Sequence, residues 1–415
     1  MKNQIIGRFI LAFVLITTAL STAQLVKIDT STIPDEVTLP HDVTNPKFAP
    51  RGIYAIVPWR QAPQDSTWKD PCVEGVTIRR YWYKLNPGEN EYKWEELDSM
   101  FALAHAHGKK IHLIIAPGFF APDWVIKKVA TARFIVPHGP KQYRGKMLPL
   151  PLPWDHTYLN LWFAFVDELA KRYGSKPALS FIAVTGPNSH NGEVNLPSDS
   201  SDWKILKEKE YQGYDPIQQW KDLVGGGPEA EEKLMNKMLR AYKRTLDHFH
   251  QAFAGKHEKY YSLQIFNESL PVKNKPGGKL HPIQQAYQDS LIALAAAERP
   301  KYFVLMNGGL DAWPIAGLFV SKRYRDHHSP PPQWQRVQSL ATDGYVTGFQ
   351  TKDPDDDGSA PGTPQPLAIF RLTIKNGIRF GAGFLEIFEA EIHNDRFRDL
   401  TAAGSILLGG KCNCE

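Results

Sequence analysis

The stretch GVTIRRYWYKLNPGENEYKWEELDSMFALAHAHGKKIHLIIAPG, residues 75–118, decides the fold. It opens with GVTIRRYW (75–82), short and rich in β-branched and aromatic residues, which reads as a strand. Asn86-Pro87-Gly88 marks a turn, and Trp94, Leu97, Phe101 and Ala104 then recur at helical spacing until Gly108. IHLIIAPG (111–118) closes the unit as a near-continuous apolar strand, the pattern of a sheet covered on both faces. Strand, helix and strand in this order make a parallel crossover unit.

The same rhythm runs outward in both directions. GIYAIVPW (52–59) precedes the unit as a first strand. LSFIAVTG (179–186), YYSLQIFN (260–267), KYFVLMNG (301–308), YVTGFQT (345–351) and GFLEIFEAEI (383–392) follow it. Helix-compatible segments separate them: one capped by Asp155 with a stripe of Tyr158, Leu161, Trp162, Phe165 and Leu169, then 228–253, 282–298 and 333–340. The stretch from 119 to Pro153 is irregular, aromatic and proline-bearing, and 352–363 reads as an acidic loop. Residues 187–227 form a connection far beyond the usual few residues, as expected of a lid or groove wall. Eight strands with intervening helices predict a single-domain α/β fold, a (β/α)8 TIM barrel with long βα loops over 51–415. No GxGxxG follows the first strand and no P-loop occurs, which removes the signatures of nucleotide-binding sheets.

The ends add a compartment. Lys2 and Arg8 precede an apolar run from Phe9 to Leu20, then Ser21-Thr22-Ala23, which reads as an export signal cleaved after residue 23. The run is too short to span a bilayer, and no later segment reads as a membrane span. The expectation is a secreted or periplasmic chain with a polar lead-in arm over 24–50. Net charge is +5, and losing Lys2 and Arg8 lowers it by two. Without a basic run interleaved with aromatics, nucleic acid is not an expected partner. Cys72, Cys412 and Cys414 leave open a bridge from Cys72 to the tail, a bridge within the tail, or free thiols.

Chemistry in a barrel lies at the C-terminal ends of its strands. The fourth strand runs into GPNSHNGE, placing Glu193 in a polar turn where it can serve as proton donor to a glycosidic oxygen. Asn188, His190 and Asn191 are placed to bind sugar hydroxyls or tune that carboxyl. Asn267-Glu268 end the fifth strand, Glu268 as a second carboxylate and Asn267 as a hydroxyl ligand. The eighth strand carries Glu386, Glu389 and Glu391. Period-two alternation sends Glu386 to one side and Glu389 and Glu391 to the other, Glu389 and Glu386 being the candidates for a catalytic carboxylate. Arg79 and Arg80 are adjacent on the second strand, so one faces inward and can orient a carboxylate. Trp59, Trp82, Trp124 and Trp313 lie at or after strand ends, where sugar-stacking walls stand, and Gln350 ends the seventh strand. His105 and His107 at spacing two share no ligand face, and neither HExxH nor GxSxG occurs. Two-carboxylate hydrolysis of a carbohydrate needs no cofactor and no metal, and none is expected.

Residues 75–115 resemble the second-to-third strand unit of the clan A glycoside hydrolases, particularly the β-galactosidase-like barrels. There a strand ending in Arg and Trp is followed by P-x-x-G-x-Y-x-W, a helix and H-G-K. Arg79, Trp82, Pro87, Tyr92, Trp94, His107, Gly108 and Lys109 match, and Asn90 stands where the pattern has glycine. The resemblance implies a retaining mechanism, with an acid/base Glu after strand four and a nucleophile Glu from a later strand. Two departures stand out: Asn188 and Glu193 are not adjacent, and the seventh strand carries Gln350 in place of a carboxylate. Residues 186–197 are also similar to the strand-four segment of β-amylases, which are inverting, and that likeness again implies Glu193 as the acid.

Overall fold

The computed structural model describes residues 49–57, 59, 61–136, 142–198, 213–266, 269–273, 281–298, 302–313, 330–352 and 366–412. The expected export signal, nearly all of the 24–50 arm, Asn267 and Glu268 lie outside the described residues.

Eight parallel strands close into a barrel. In chain order the strands are β1 (Gly52–Ile56), β2 (Gly75–Tyr81), β3 (Lys110–Ala116), β4 (Thr131–Ile135), β5 (Met147–Pro151), β6 (Leu179–Ala183), β7 (Tyr260–Ile265), β8 (Phe303–Leu310), β9 (Val346–Thr351) and β10 (Phe384–Phe388). Around the barrel the order is β1-β2-β3-β6-β7-β8-β9-β10, and β10 pairs with β1 through Gly52–Phe384 to Ile56–Phe388. The expected (β/α)8 architecture is the observed one. β4 and β5 form a separate antiparallel hairpin between β3 and the helix His156–Tyr173. Its prolines at 149 and 151 gave that stretch the look of a loop in sequence.

Alternation on the strands divides two cores. Outward-facing residues join the helices in the large apolar layer, where Trp82 packs against Trp162 and Phe165. Inward-facing Tyr54, Phe181, Tyr260, Val304, Met306, Val346 and Phe384 fill the lower barrel. Above them lies a buried polar layer. Glu386 on β10 accepts hydrogen bonds from Thr77 Oγ1 on β2 (2.5 Å) and pairs with His112 Nδ1 on β3 (2.5 Å). His112 stacks on Phe181, and its Nε2 lies 3.3 Å from Ser262 Oγ on β7. These contacts bolt five strands together across the barrel interior, where an unpaired carboxylate would be costly.

The last strand is shorter than its sequence suggests. Period-two reading carries it to 392, but it ends at Phe388, and Glu389–Ile392 form a helical turn. At the opposite end of the barrel, Cys72 is bridged to Cys412. Of the arrangements the three cysteines allowed, this one ties the loop before β2 to the tail behind the last helix.

Candidate active site

The mouth is built from β2, β3, β7, β8 and the segment that follows β6. That segment leaves the barrel at Val184 and is fixed at nearly every step. Tyr158 Oη donates to Gly186 O and accepts from Gly118 N–H, while Trp162 Nε1 donates to Thr185 O. Gly118 sits at φ +61° so close to the loop that an added methyl would lie 2.1 Å from Ser189 O. Phe119 N–H donates to that same oxygen at 2.8 Å. Asn188 is buried, its Oδ1 accepting from Gly186 N–H and its amide donating to Asn191 O. Ser189 Oγ holds His190 Nδ1 at 2.6 Å and donates to Asn195 Oδ1. These side chains are spent on the shape of the loop.

The turn returns Glu193 to the barrel. Its backbone makes an isolated parallel bridge with Gln264 of β7, and Val194 N–H donates to Gln264 O. A glutamate ten residues past the end of β6 thereby becomes a strand-end residue. Asn195 Nδ2 donates to Glu193 Oε2 at 3.0 Å, and Glu193 N–H donates to Asn191 Oδ1 at 3.0 Å. Gly308 on β8 lies opposite: a methyl there would be 3.4 Å from Glu193 Oε1 and 2.7 Å from Gln264 Nε2. The residue is partly exposed toward the mouth, yet protein encloses its carboxyl. Burial pushes the carboxyl above the usual glutamate range, opposed by hydrogen bonding with Asn191 and Asn195 and by the Arg79 charge.

Arg79 is the inward member of its pair. Its guanidinium donates to Val57 O at 3.0 Å and lies 4.8 Å over the Trp59 ring. Trp59 stacks on Tyr81, which stacks on Tyr83 and touches Phe120, giving one side of the mouth an aromatic wall. Arg80 turns outward to Glu96 and Gln61 O. Across the mouth Gln350 accepts from Gln264 Nε2 at 2.9 Å. Beyond them Asp311, just past β8, pairs with Lys352, just past β9, and accepts from Trp313 N–H at 3.1 Å.

The structure thus gathers Glu193, Arg79, Asn191, Gln350 and Trp59 of the expected residues and leaves others elsewhere. Trp82 is a correction: fully buried in the helical layer, it donates to Asn86 Oδ1 and faces no cavity of the mouth. Trp124 donates to Asn86 O beneath Lys128 and packs against the same core, and Trp313 packs against it under the β8 end. Glu386 lies in the buried polar layer, held by His112 and Thr77. Glu389 is off the strand, and its carboxylate accepts from Gln64 N–H (2.7 Å) and Thr67 Oγ1, anchoring the short helix Asp65–Lys69. The alternation that set Glu386 and Glu389 on opposite faces fails because the strand stops between them.

Gln264, Asn195, Gly308, Asp311 and Lys352 were not singled out from sequence. For Asp311 the signal was present: it is the first acid after the sixth barrel strand, hidden because the expected strand stops at Gly308 while the observed one runs on through Gly309 and Leu310.

Three comparisons bear on this arrangement. Residues 68–220 match the β-galactosidase family 42 of glycoside hydrolases. No curated protein matches the chain. Among solved structures, the catalytic domain of β-amylase from Paenibacillus polymyxa aligns with TM-score 0.51 at 14% identity, over 88% of this chain and 100% of that one. The β-galactosidases of psychrophilic Marinomonas ef1 (TM-score 0.46, 14% identity) and of the haloarchaeon Halorubrum lacusprofundi (0.48, 13%) are matched over 81% of this chain. The chain spans only 54% and 52% of those two proteins. Three of the eight barrel strands, with the segments from residue 68 to 220, carry a glycoside-hydrolase sequence pattern, and the whole carries the fold: the chain is a distant, glycoside-hydrolase-like (β/α)8 barrel.

Proposed function

We propose that the protein hydrolyses O-glycosidic bonds of an extracellular oligo- or polysaccharide, with Glu193 as proton donor to the leaving oxygen. The observation that carries this is the Glu193 carboxyl itself. It is brought back to the C-terminal mouth of a barrel, its hold on a proton is strengthened by burial, and Asn195 fixes one oxygen. A carboxyl that stays protonated above the ordinary range is what general-acid cleavage of a sugar acetal requires. The aromatic wall from Trp59 to Tyr83 and the amides of Gln264 and Gln350 supply the apolar face and the hydrogen-bonding groups a sugar ring presents.

Export fits this reading. The Cys72–Cys412 bridge is the kind of bond an oxidising compartment permits, and it supports a secreted or periplasmic site.

The test is Glu193→Gln assayed on glycosides with poor leaving groups. Loss of about 10²–10⁴-fold in kcat is expected for removal of a general acid. Undiminished turnover would sink the assignment.

One observation favours a second reading, a barrel that binds glycans without cutting them. The seventh barrel strand presents Gln350, hydrogen-bonded to Gln264, where the resemblance implies a nucleophilic carboxylate. Turnover of any glycan by the wild-type chain rules it out.

A further inference from the structure

We infer that Asp311 is the second carboxylate of the site and acts as the base that activates water; the inference rests on the hydrolytic reading above. Its placement follows from the register. Gln350 of β9 points into the mouth, since it bonds Gln264 there, and Lys352 lies two residues further on the same side. Leu310 lies against Gly377 of the helical layer, and Asp311, the next residue, leaves the strand to meet Lys352. Lys352 N–H donating to Leu310 O at 2.9 Å keeps the two strand ends in step.

The spacing suits the chemistry. Glu193 follows β6 and Asp311 follows β8, with only β7 between them in the barrel. Two strand spacings make about 9.6 Å across the sheet, and Asp311 lies five residues beyond Met306, the β8 residue level with Gln264 and so with the Glu193 backbone. The Glu193 carboxyl already reaches across to within 3.4 Å of a methyl position on Gly308, three residues before Asp311. Two carboxyl groups about 6.5–9.5 Å apart leave room for one water between acid, base and sugar.

Asp311 is nearly buried, and its two oxygens are each engaged once, by Trp313 N–H and by Lys352 Nζ. A carboxylate has about four acceptor positions, so a position remains on each oxygen for a water proton. The competing described candidates are committed elsewhere, Glu386 to His112 and Thr77, Glu389 to Gln64 and Thr67.

In the resulting step a water oxygen bonds to the anomeric carbon while its proton passes to the Asp311 carboxylate. The bond from that carbon to the glycosidic oxygen breaks, and that oxygen takes the Glu193 proton. One water is consumed, the two carboxyl groups then re-equilibrate with solvent, and the anomeric configuration is inverted. Direct displacement also accounts for a seventh strand without a nucleophile.

The test compares the full chain with Glu193→Gln and Asp311→Asn on dinitrophenyl β-galactoside and β-glucoside and on the matching disaccharides. A dinitrophenolate leaves without protonation, so Glu193→Gln keeps most of its turnover on the aryl substrates. Asp311→Asn loses about 10²–10⁴-fold on both kinds. Because Asn would remove the Asp311–Lys352 ion pair, a second variant combines Asp311→Asn with Lys352→Gln. It shows the same loss with an unchanged melting temperature, and added azide restores turnover as an inverted glycosyl azide.

Two results overturn the inference while leaving hydrolysis standing: active Asp311→Asn alongside inactive Glu193→Gln on disaccharides, or a first product of retained configuration by proton NMR. A wild-type chain inert on all these substrates removes both readings.

Discussion

A carboxyl enclosed beside two amides and a guanidinium carries its own pH signature. Glu193 holds its proton more tightly than a free glutamate, chiefly because burial penalises the charged form. In the proposed role of general acid it works when protonated, so activity is expected at low pH and is expected to be lost as pH rises through the raised value. Stability runs the same way. A group whose folded pKa lies above its unfolded value contributes fully below the unfolded value, and that contribution is lost as pH rises through the folded one. Glu193→Gln removes this cost, so its melting temperature relative to wild type should climb between pH 4 and pH 8. A difference that stays flat across that window would mean the carboxyl is not buried as described. Gly308 tests the space around it. In Gly308→Ala the new methyl meets Gln264 Nε2 at 2.7 Å and must break the Gln264–Gln350 bond or crowd Glu193. We expect a fall in kcat on the order of 10–100-fold at a stability cost of about 1–3 kcal/mol. A variant with wild-type kcat would place the reacting centre away from β8. Little of this was legible in sequence. Glu193 could be picked out as an acid beyond a strand, but its bridge to Gln264 depends on a loop whose shape is set by Tyr158, Trp162 and Gly118 from distant elements. Asp311 was missed because its strand runs two residues past the expected end at Gly308, through Gly309 and Leu310.

At the scale of elements, the strands were readable and their ends were not. Apolar, β-branched runs such as IHLIIA declare themselves because both faces are covered. Ends are decided by what the next residue can bond to. Glu389 leaves β10 because Gln64 N–H and Thr67 offer its carboxylate partners beyond the sheet. β4 and β5 pair despite their prolines, since Phe134 of that hairpin stacks on Trp220, whose indole donates to Pro197 O. The helix Pro216–Leu223 inside the long 187–227 connection is thereby docked on the hairpin. The loop carrying Glu193 rests on a comparable contact at Gly118, and two glycine variants isolate it. Gly118 and Gly108 both have positive φ, +61° and +65°, but Gly108 faces open space whereas Gly118 abuts Ser189 O. Gly108→Ala should cost about 1–2 kcal/mol for the left-handed conformation alone and leave kcat untouched. Gly118→Ala adds an overpacking cost of about 1–3 kcal/mol and should also lower kcat, because the 186–190 backbone must move. Equal activity in the two variants would show that Glu193 is positioned independently of that contact.

For the whole molecule, the closure of the barrel is where its first and last strands meet. β1 pairs with β10, Gly52 N–H donates to Leu408 O at 3.0 Å, and Gly404 of the last helix packs against Ile374 and Ile53. The Cys72–Cys412 bridge fastens the same corner, with Cα atoms 4.1 Å apart and a sequence separation of 340. A cross-link over so long a loop removes conformational freedom from the unfolded chain, a stabilisation of typically about 2–4 kcal/mol. Spread over the unfolding entropy of a domain this size, that is a fall of roughly 3–5 °C in melting temperature when the bond is lost. Cys72→Ser should show this fall in buffer without reductant, and dithiothreitol should bring wild type to the same value while leaving the variant unmoved. The bond lies at the N-terminal end of the barrel, opposite the mouth, so kcat at 25 °C should be unchanged in either case. If reductant lowered wild type and variant alike, the effect would lie in some other thiol chemistry. If neither moved, the β1–β10 seam and the last helix would be holding the closure without covalent help.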